Sequence, residues 1–283
     1  MRTFFRRKQS EGGPQPVDHP QKNLARPSAE DIYKQVANNA RQELKRSNTA
    51  LAISGFGGGA FMGLSALGTA IGVALLGPTP VAHALACLLY PLGFIVVIIG
   101  RSQLFTENTL YPVALVLAEK KEFWNTLRLW SIVLPANVVG ALGFAALAAR
   151  TPALEPRFVE ALTTLGLQSI AHPAWTIFWS GVIGGWMIAM AAWLVSGSHS
   201  ITGSVMLIWL LTFLVGLGHF AHCIASSGEI LAAVLQHAVR VSQYFWWLLQ
   251  AVLGNITGGV LIVTLLEYGQ VKGGEEEGPG FRR

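Results

Sequence analysis

The chain has 283 residues, of which 52% are hydrophobic and only 12% charged, and its mean hydropathy is +0.47. A soluble domain carries about twice that charge, so a water-soluble globular fold is excluded. The net charge of +5 comes from a basic N-terminal stretch and needs no nucleic-acid partner to explain it.

Residues 1–27 are rich in Pro, Gly and charge and are expected to form a disordered tail. From Ser28 the pattern changes, and residues 28–47 read as an amphipathic helix. Ser28-Ala-Glu-Asp31 is a hydroxyl cap followed by acids in the first turn. Ile32, Val36, Ala40 and Leu44 then recur every fourth residue on one narrow apolar face, with Lys34, Arg41, Lys45 and Arg46 elsewhere. Two roles stand open for this helix: lying on the membrane surface, or gating a pore from beneath.

Past it, the charges are segregated. No Asp, Glu, Lys or Arg occurs from Ala50 to Gly100, Leu129 to Ala149, Ala161 to Gly228, or Val241 to Leu266. Each gap accommodates at least one helix of roughly 20 residues, the length that crosses the hydrocarbon core. The fold class is therefore all-α integral membrane. Six spans are expected, at 50–77, 81–118, 126–149, 173–195, 203–236 and 242–267, within a membrane domain over 48–268. The second span is interrupted near 102–107 by Leu104-Phe-Thr-Glu-Asn-Thr109, and the fifth near 218–228 after Gly216-Leu-Gly-His219-Phe-Ala-His222-Cys223. Polar, irregular backbone survives at that depth only inside protein or along a cavity. Residues 269–283 read as a solvated tail.

An even number of spans puts both termini on one side. The basic N-terminal stretch, together with Lys120, Lys121 and Arg128, assigns that side to the cytoplasm. The basic N-terminus lacks a following apolar region, so no cleaved signal peptide is expected. Cys87 and Cys223 both fall in apolar spans and are expected to pack as small apolar groups.

The membrane region also looks duplicated. Leu134-Pro-Ala-Asn137-Val-Val-Gly140 is matched 118 positions later by Val252-Leu-Gly-Asn255-Ile-Thr-Gly258. Glycine clusters open both halves, at Gly55 to Gly59 and at Gly181, Gly184 and Gly185. Three helices followed by three, with the second and fifth discontinuous, is the pattern of an inverted repeat whose binding site lies near the membrane midplane.

Chemistry is expected at the two interruptions. His219 and His222 lie three apart, with Cys223 following. A zinc site wants four protein ligands, or three plus water. No fourth partner is evident, so no metal is expected. The imidazoles instead either bond the interrupted backbone or face a pathway as proton-responsive donors. At the other interruption Thr106 offers a hydroxyl that both donates and accepts. Glu107 is costly inside a membrane unless paired or wet. It is expected to structure the loop by accepting from backbone amides that a helix end leaves free, beside Asn108, Asn137 and Asn255.

These elements resemble the formate/nitrite transporter family. Its second helix is broken around a Leu-Phe-Thr motif, matched by Leu104-Phe105-Thr106, and its fifth near Gly-x-x-His, matched by Gly216 to His219. The Asn-x-x-Gly elements at Asn137 and Asn255 are similar to those ending its third and sixth helices. The resemblance covers about residues 30 to 268. It implies an aquaporin-like protomer, a homopentamer with one pore per protomer, and passage of small monovalent anions such as formate, nitrite or hydrosulfide across the bacterial inner membrane. It also implies that Leu104 and Phe105 line a constriction, that Thr106 faces the central site and that His219 is the central histidine, with His222 an additional one.

The chain departs from the family pattern where Arg101-Ser102-Gln103 replaces the usual Gly-Ala-Glu, and where Glu107 follows the motif. These departures resemble a divergent branch of the family. The expected function is a channel or proton-coupled transporter for a small monovalent anion or its conjugate acid, embedded in lipid. A neutral-solute pore and a non-transporting sensor or scaffold remain as alternatives. No cofactor motif, nucleotide-binding Gly-x-x-x-x-Gly-Lys run or catalytic constellation is present, so enzyme activity is not expected.

Overall fold

The computed structural model describes residues 27–119 and 122–276; residues 1–26 of the expected disordered tail, Lys120, Lys121 and the last seven residues lie outside the described residues. The described chain is helical, with twelve α-helices (α1–α12) and no strand.

Helix α1, Ala29–Leu44, starts where the sequence caps it. The Ser28 side chain accepts the Asp31 N–H, and the Asp31 carboxylate accepts the Ser28 N–H at 3.1 Å. This reciprocal pair satisfies two of the donors that a helix start leaves free. The apolar stripe faces protein: Val36 and Ala40 are fully buried and Leu44 nearly so. Tyr33 donates to the Ala114 carbonyl at 3.0 Å. Arg128 ties down the exit of this helix, donating to the Leu44 carbonyl at 2.7 Å and to Asn48 Oδ1 at 3.0 Å.

Helix α2, Asn48–Leu76, is capped by Ser47 and ends at Gly77, whose φ of 88° is open to glycine at no steric cost. Helices α3, Pro80–Ala86, and α4, Pro91–Ile99, each have proline in the first turn and are joined by one 3₁₀ turn. An irregular stretch and a 3₁₀ turn at Glu107–Thr109 lead to α5, Tyr111–Glu119. Helix α6 runs Phe123–Arg150. It is followed by α7, Pro156–Ile170, which the charge pattern did not announce because the exposed charges of Glu155, Arg157 and Glu160 crowd its start. Helix α8 spans Ala174–Ser196, α9 Ile201–Leu217 and α10 Ala225–Leu235. Helix α11, Val241–Thr257, continues through a π-helical turn at Gly258–Thr264 into α12, Leu265–Glu276. Helix α1 packs on α5, α8 and α12.

Among the described residues five stretches are long and apolar enough to cross a membrane: Asn48–Leu76, Pro80–Ile99, Phe123–Arg150, Ala174–Ser196 and Val241–Val271. Residues 203–236, read from sequence as a fifth span interrupted near 218–228, are two shorter apolar helices, α9 and α10.

Two helix pairs carry the scaffold, α2 with α6 and α8 with α11. Both meet backbone to backbone. A Cβ at Gly140 would collide with the Phe56 carbonyl, and one at Gly258 with the Val182 carbonyl. A Cβ at Gly59 would strike the backbone of Asn137, and one at Gly185 that of Asn255. Small residues at membrane helix contacts allow this close approach. Here they also bring the two asparagines within reach of the non-helical segments.

Candidate functional site

Asn137 and Asn255 are wholly buried and each makes the same three bonds. Asn137 Oδ1 accepts the Phe105 N–H at 2.9 Å, while Nδ2 donates to the Gly55 carbonyl at 2.7 Å and the Gln103 carbonyl at 2.8 Å. Asn255 Oδ1 accepts the Cys223 N–H at 2.8 Å, and its Nδ2 donates to the Gly181 carbonyl at 2.8 Å and the Ala221 carbonyl at 2.9 Å. A primary amide has the acceptor and two donors this task needs. The peptides flanking Leu104 and those flanking His222 are thus pinned alike, 118 residues apart. The asparagines structure both non-helical segments, with Ser180 Oγ accepting the Ala221 N–H at 2.9 Å as further support.

Between these clamps the two segments meet. Thr106 Oγ1 lies 2.8 Å from His222 Nε2, and both residues are fully buried. His222 Nδ1 accepts the Ala225 N–H at 3.0 Å. That bond assigns the ring proton to Nε2, which therefore donates to the Thr106 hydroxyl. The Thr106 hydroxyl proton is left to point elsewhere. Phe94 covers the imidazole edge-on, with ring centroids 5.0 Å apart.

His219 sits elsewhere. After Gly218 the helix has ended and His219 takes a left-handed φ of 50°, which carries its ring away from Thr106. The ring is exposed and stacks on His83, with centroids 4.3 Å apart and planes 11° apart, and His83 Nε2 approaches Cys87 Sγ to 3.3 Å. Of the two histidines, His222 and not His219 therefore lies beside Thr106. Among the described residues no group of three His, Cys, Asp or Glu side chains is arranged to hold a metal.

Leu104 and Phe105 are both buried but face different ways. Leu104 borders a chamber of about 300 Å³ on the α1 side, while the Phe105 ring meets Trp130 edge-on at 5.6 Å. Trp130 in turn donates to the Asn108 carbonyl at 2.9 Å. Asn108 Nδ2 donates to Gln103 Oε1 at 2.9 Å, and Gln103 Nε2 donates to the Glu43 carboxylate, which is paired with Arg46 at 3.1 Å. The Asn108 side chain thus bonds across its own loop to Gln103. Nothing in the local sequence announces the Glu43–Gln103 bond, because its partners lie 60 residues apart.

Glu107 does not pin the loop as expected. Among the described residues no amide or side chain donates to its carboxylate; Asn137 holds the loop peptides instead. The Glu107 side chain borders the chamber, together with Arg101, Glu43, Tyr111 and His199.

With this geometry in place, comparison with known proteins gives a consistent answer. The family model described as formate/nitrite transporter matches residues 30–269. The chain belongs to the formate/nitrite transporter family. It is 32% identical over 246 residues to the inner membrane protein YfdC of Escherichia coli, covering 85% of this chain and 78% of that protein. It is 28% identical to a probable formate transporter of Methanothermobacter thermautotrophicus over 63% of this chain and 72% of that one. Among solved structures, an ion channel of the same family superposes with a TM-score of 0.77 at 20% identity, over 85% of this chain and 99% of that one. A pentameric formate channel with formate bound superposes with a TM-score of 0.64 at 20% identity, over 83% and 98%. At 20% identity these two superpositions show the fold alone.

Proposed function

We propose that the chain is a channel or proton-coupled transporter that passes small monovalent anions, of the formate, nitrite or hydrosulfide class, or their conjugate acids across the bacterial inner membrane. In this reading α3 with α4 and α5 form an interrupted second span, α9 and α10 an interrupted fifth, and the halves are related as an inverted 3+3 repeat. Both termini and the α1-side chamber are cytoplasmic, and five copies assemble with one pore each.

The observation that carries the reading is the buried Thr106–His222 bond, made where the two non-helical segments meet between the asparagine clamps. A bare anion crossing beside Leu104 would lose hydration that apolar side chains cannot replace, so the neutral acid crosses more easily. Each unit by which the site favours protonation corresponds to about 1.4 kcal/mol. With its Nε2–H given to Thr106, His222 orients the hydroxyl so that its own proton can meet a passing oxygen or sulfur. In this reading His222 holds the central-site role that family resemblance implied for His219, and Thr106 faces the central site beside it.

The test is flux of formate, nitrite and hydrosulfide into liposomes holding the purified protein, at two pH values. Saturable, pH-dependent flux that His222→Phe removes and His219→Phe leaves supports this reading. Equal flux of a neutral polyol would replace it with an aquaporin-like pore, and silence toward every solute with a sensor or scaffold.

A further inference from the structure

The Glu107 carboxylate is the least explained group in the molecule. Its residue is 8% exposed, its oxygens receive no hydrogen bond among the described residues, and it borders a chamber of about 300 Å³. A buried carboxylate kept for structure accepts several donors, and here the available loop amide is held by Asn137. The remaining use for such a group is exchange with what enters the chamber.

The groups facing it come from each surrounding element. Helix α1 supplies Glu43, already bonded to Gln103 and paired with Arg46 at 3.1 Å. The residues before Leu104 supply Arg101, held at a left-handed φ of 58° and without an ion pair among the described residues. Helix α5 supplies Tyr111, and the turn between α8 and α9 supplies His199. With Glu43 offset by Arg46, the chamber presents one uncommitted anion, Glu107, and one uncommitted guanidinium, Arg101. A pure anion vestibule would carry no acid, and a cation site would carry no Arg. This pairing suits a solute that arrives neutral and leaves as two ions.

We propose that Glu107 is the proton acceptor on the α1 side of the pathway, taking the proton from a weak acid that has passed Leu104 while Arg101 receives the resulting anion. The inference rests on the weak-acid pathway argued above. In the step itself the O–H or S–H bond of the acid breaks and an O–H bond forms on a Glu107 carboxyl oxygen. The bonding pair stays on the departing anion, which leaves beside Arg101. Glu107 then returns its proton to chamber water, and the reverse sequence loads an outgoing anion. Glu107 adjoins Thr106 in sequence, so the acceptor stands one residue from the hydroxyl bonded to His222.

The experiment uses the full chain in liposomes with formate as the probe and two separate driving forces. One is an inward proton gradient; the other is a membrane potential without a proton gradient. Wild type is expected to accumulate formate on the proton gradient. Glu107→Gln is expected to lower the initial rate of that uptake about a hundredfold, in keeping with the usual worth of a positioned proton acceptor, while the slow bare-anion flux driven by the potential persists. Glu107→Asp is expected to restore coupling in part. A gradient-driven initial rate within about twofold of wild type in Glu107→Gln would overturn the proposal and leave the weak-acid pathway standing. So would a parallel loss of both fluxes with the oligomer intact on gel filtration, which marks a structural residue. Wild type that moves no weak acid under either force would overturn the pathway itself and this step with it.

Discussion

Replacing Asn137 with Ala removes one acceptor and two donors from a site that water cannot reach. The loss is not three full bonds. The Gly55 carbonyl lies inside α2, where the helix itself supplies a donor. The Gln103 carbonyl and the Phe105 N–H lose their Asn137 partner. Leaving a buried polar group unpaired costs about 1–3 kcal/mol, so two such groups predict a destabilisation of about 2–6 kcal/mol. Asn255→Ala should cost about the same, because Ala221 and Cys223 lose the same two bonds while Gly181 stays inside α8. Asn137→Asp is the sharper variant. It keeps an acceptor for Phe105 N–H but turns the amide donors into a second oxygen facing two carbonyls, and it should be at least as damaging as Ala. Reversible unfolding in mixed detergent measures all three. An Asp variant near wild-type stability would refute the reasoning, since it would mean the two donated bonds contribute nothing.

Two smaller predictions follow from the same scaffold. Gly59→Ala should abolish folded yield because its Cβ meets the Asn137 backbone, whereas Gly57→Ala, whose nearest neighbour is Phe61 at 3.6 Å, should be tolerated; gel filtration of the two variants separates them. At the start of α1 the Asp31 carboxyl is held below its ordinary value of 3.8, chiefly by hydrogen bonds from Ser28. Its contribution is therefore present above that value and is lost as pH falls through the lower folded one, so amide exchange in the first turn should quicken only in that acid window, and Ser28→Ala should return the carboxyl toward its ordinary titration.

Much of this architecture was legible because a membrane leaves few choices. Uninterrupted apolar stretches can only be helices there, which is why the gaps between charges gave α2, α6 and α8, and the start of α11, to within a few residues. The Asn137 and Asn255 elements were legible for a different reason: pinning two peptides and a helix carbonyl at once takes an amide, so the same residue stands at both positions, 118 apart. What stayed hidden depended on partners remote in sequence. Glu107 looked like the natural acceptor for loop amides, yet the amide went to Asn137 on another helix. Helix α7 hid behind its charges, and Glu43 reaches Gln103 across 60 residues.

The choice between the histidines shows where a readable signal was passed over. A spacing of three puts two side chains on one face only while the helix continues, and this helix ends before His219. The asparagine offset carries the information that the local spacing lacks. Subtracting 118 from His222 gives Leu104, and subtracting it from His219 gives Arg101. Asn137 holds the Gln103 carbonyl and the Phe105 N–H, the groups on either side of Leu104; Asn255 holds the Ala221 carbonyl and the Cys223 N–H, on either side of His222. The residue between two pinned peptides is the one whose direction the scaffold controls. Arg101 and His219, three residues earlier and both in left-handed backbone, lie outside the pinned stretches. Counting from the clamp rather than along the helix therefore selects His222 as the partner of Thr106, and the 2.8 Å contact between them is where that count leads.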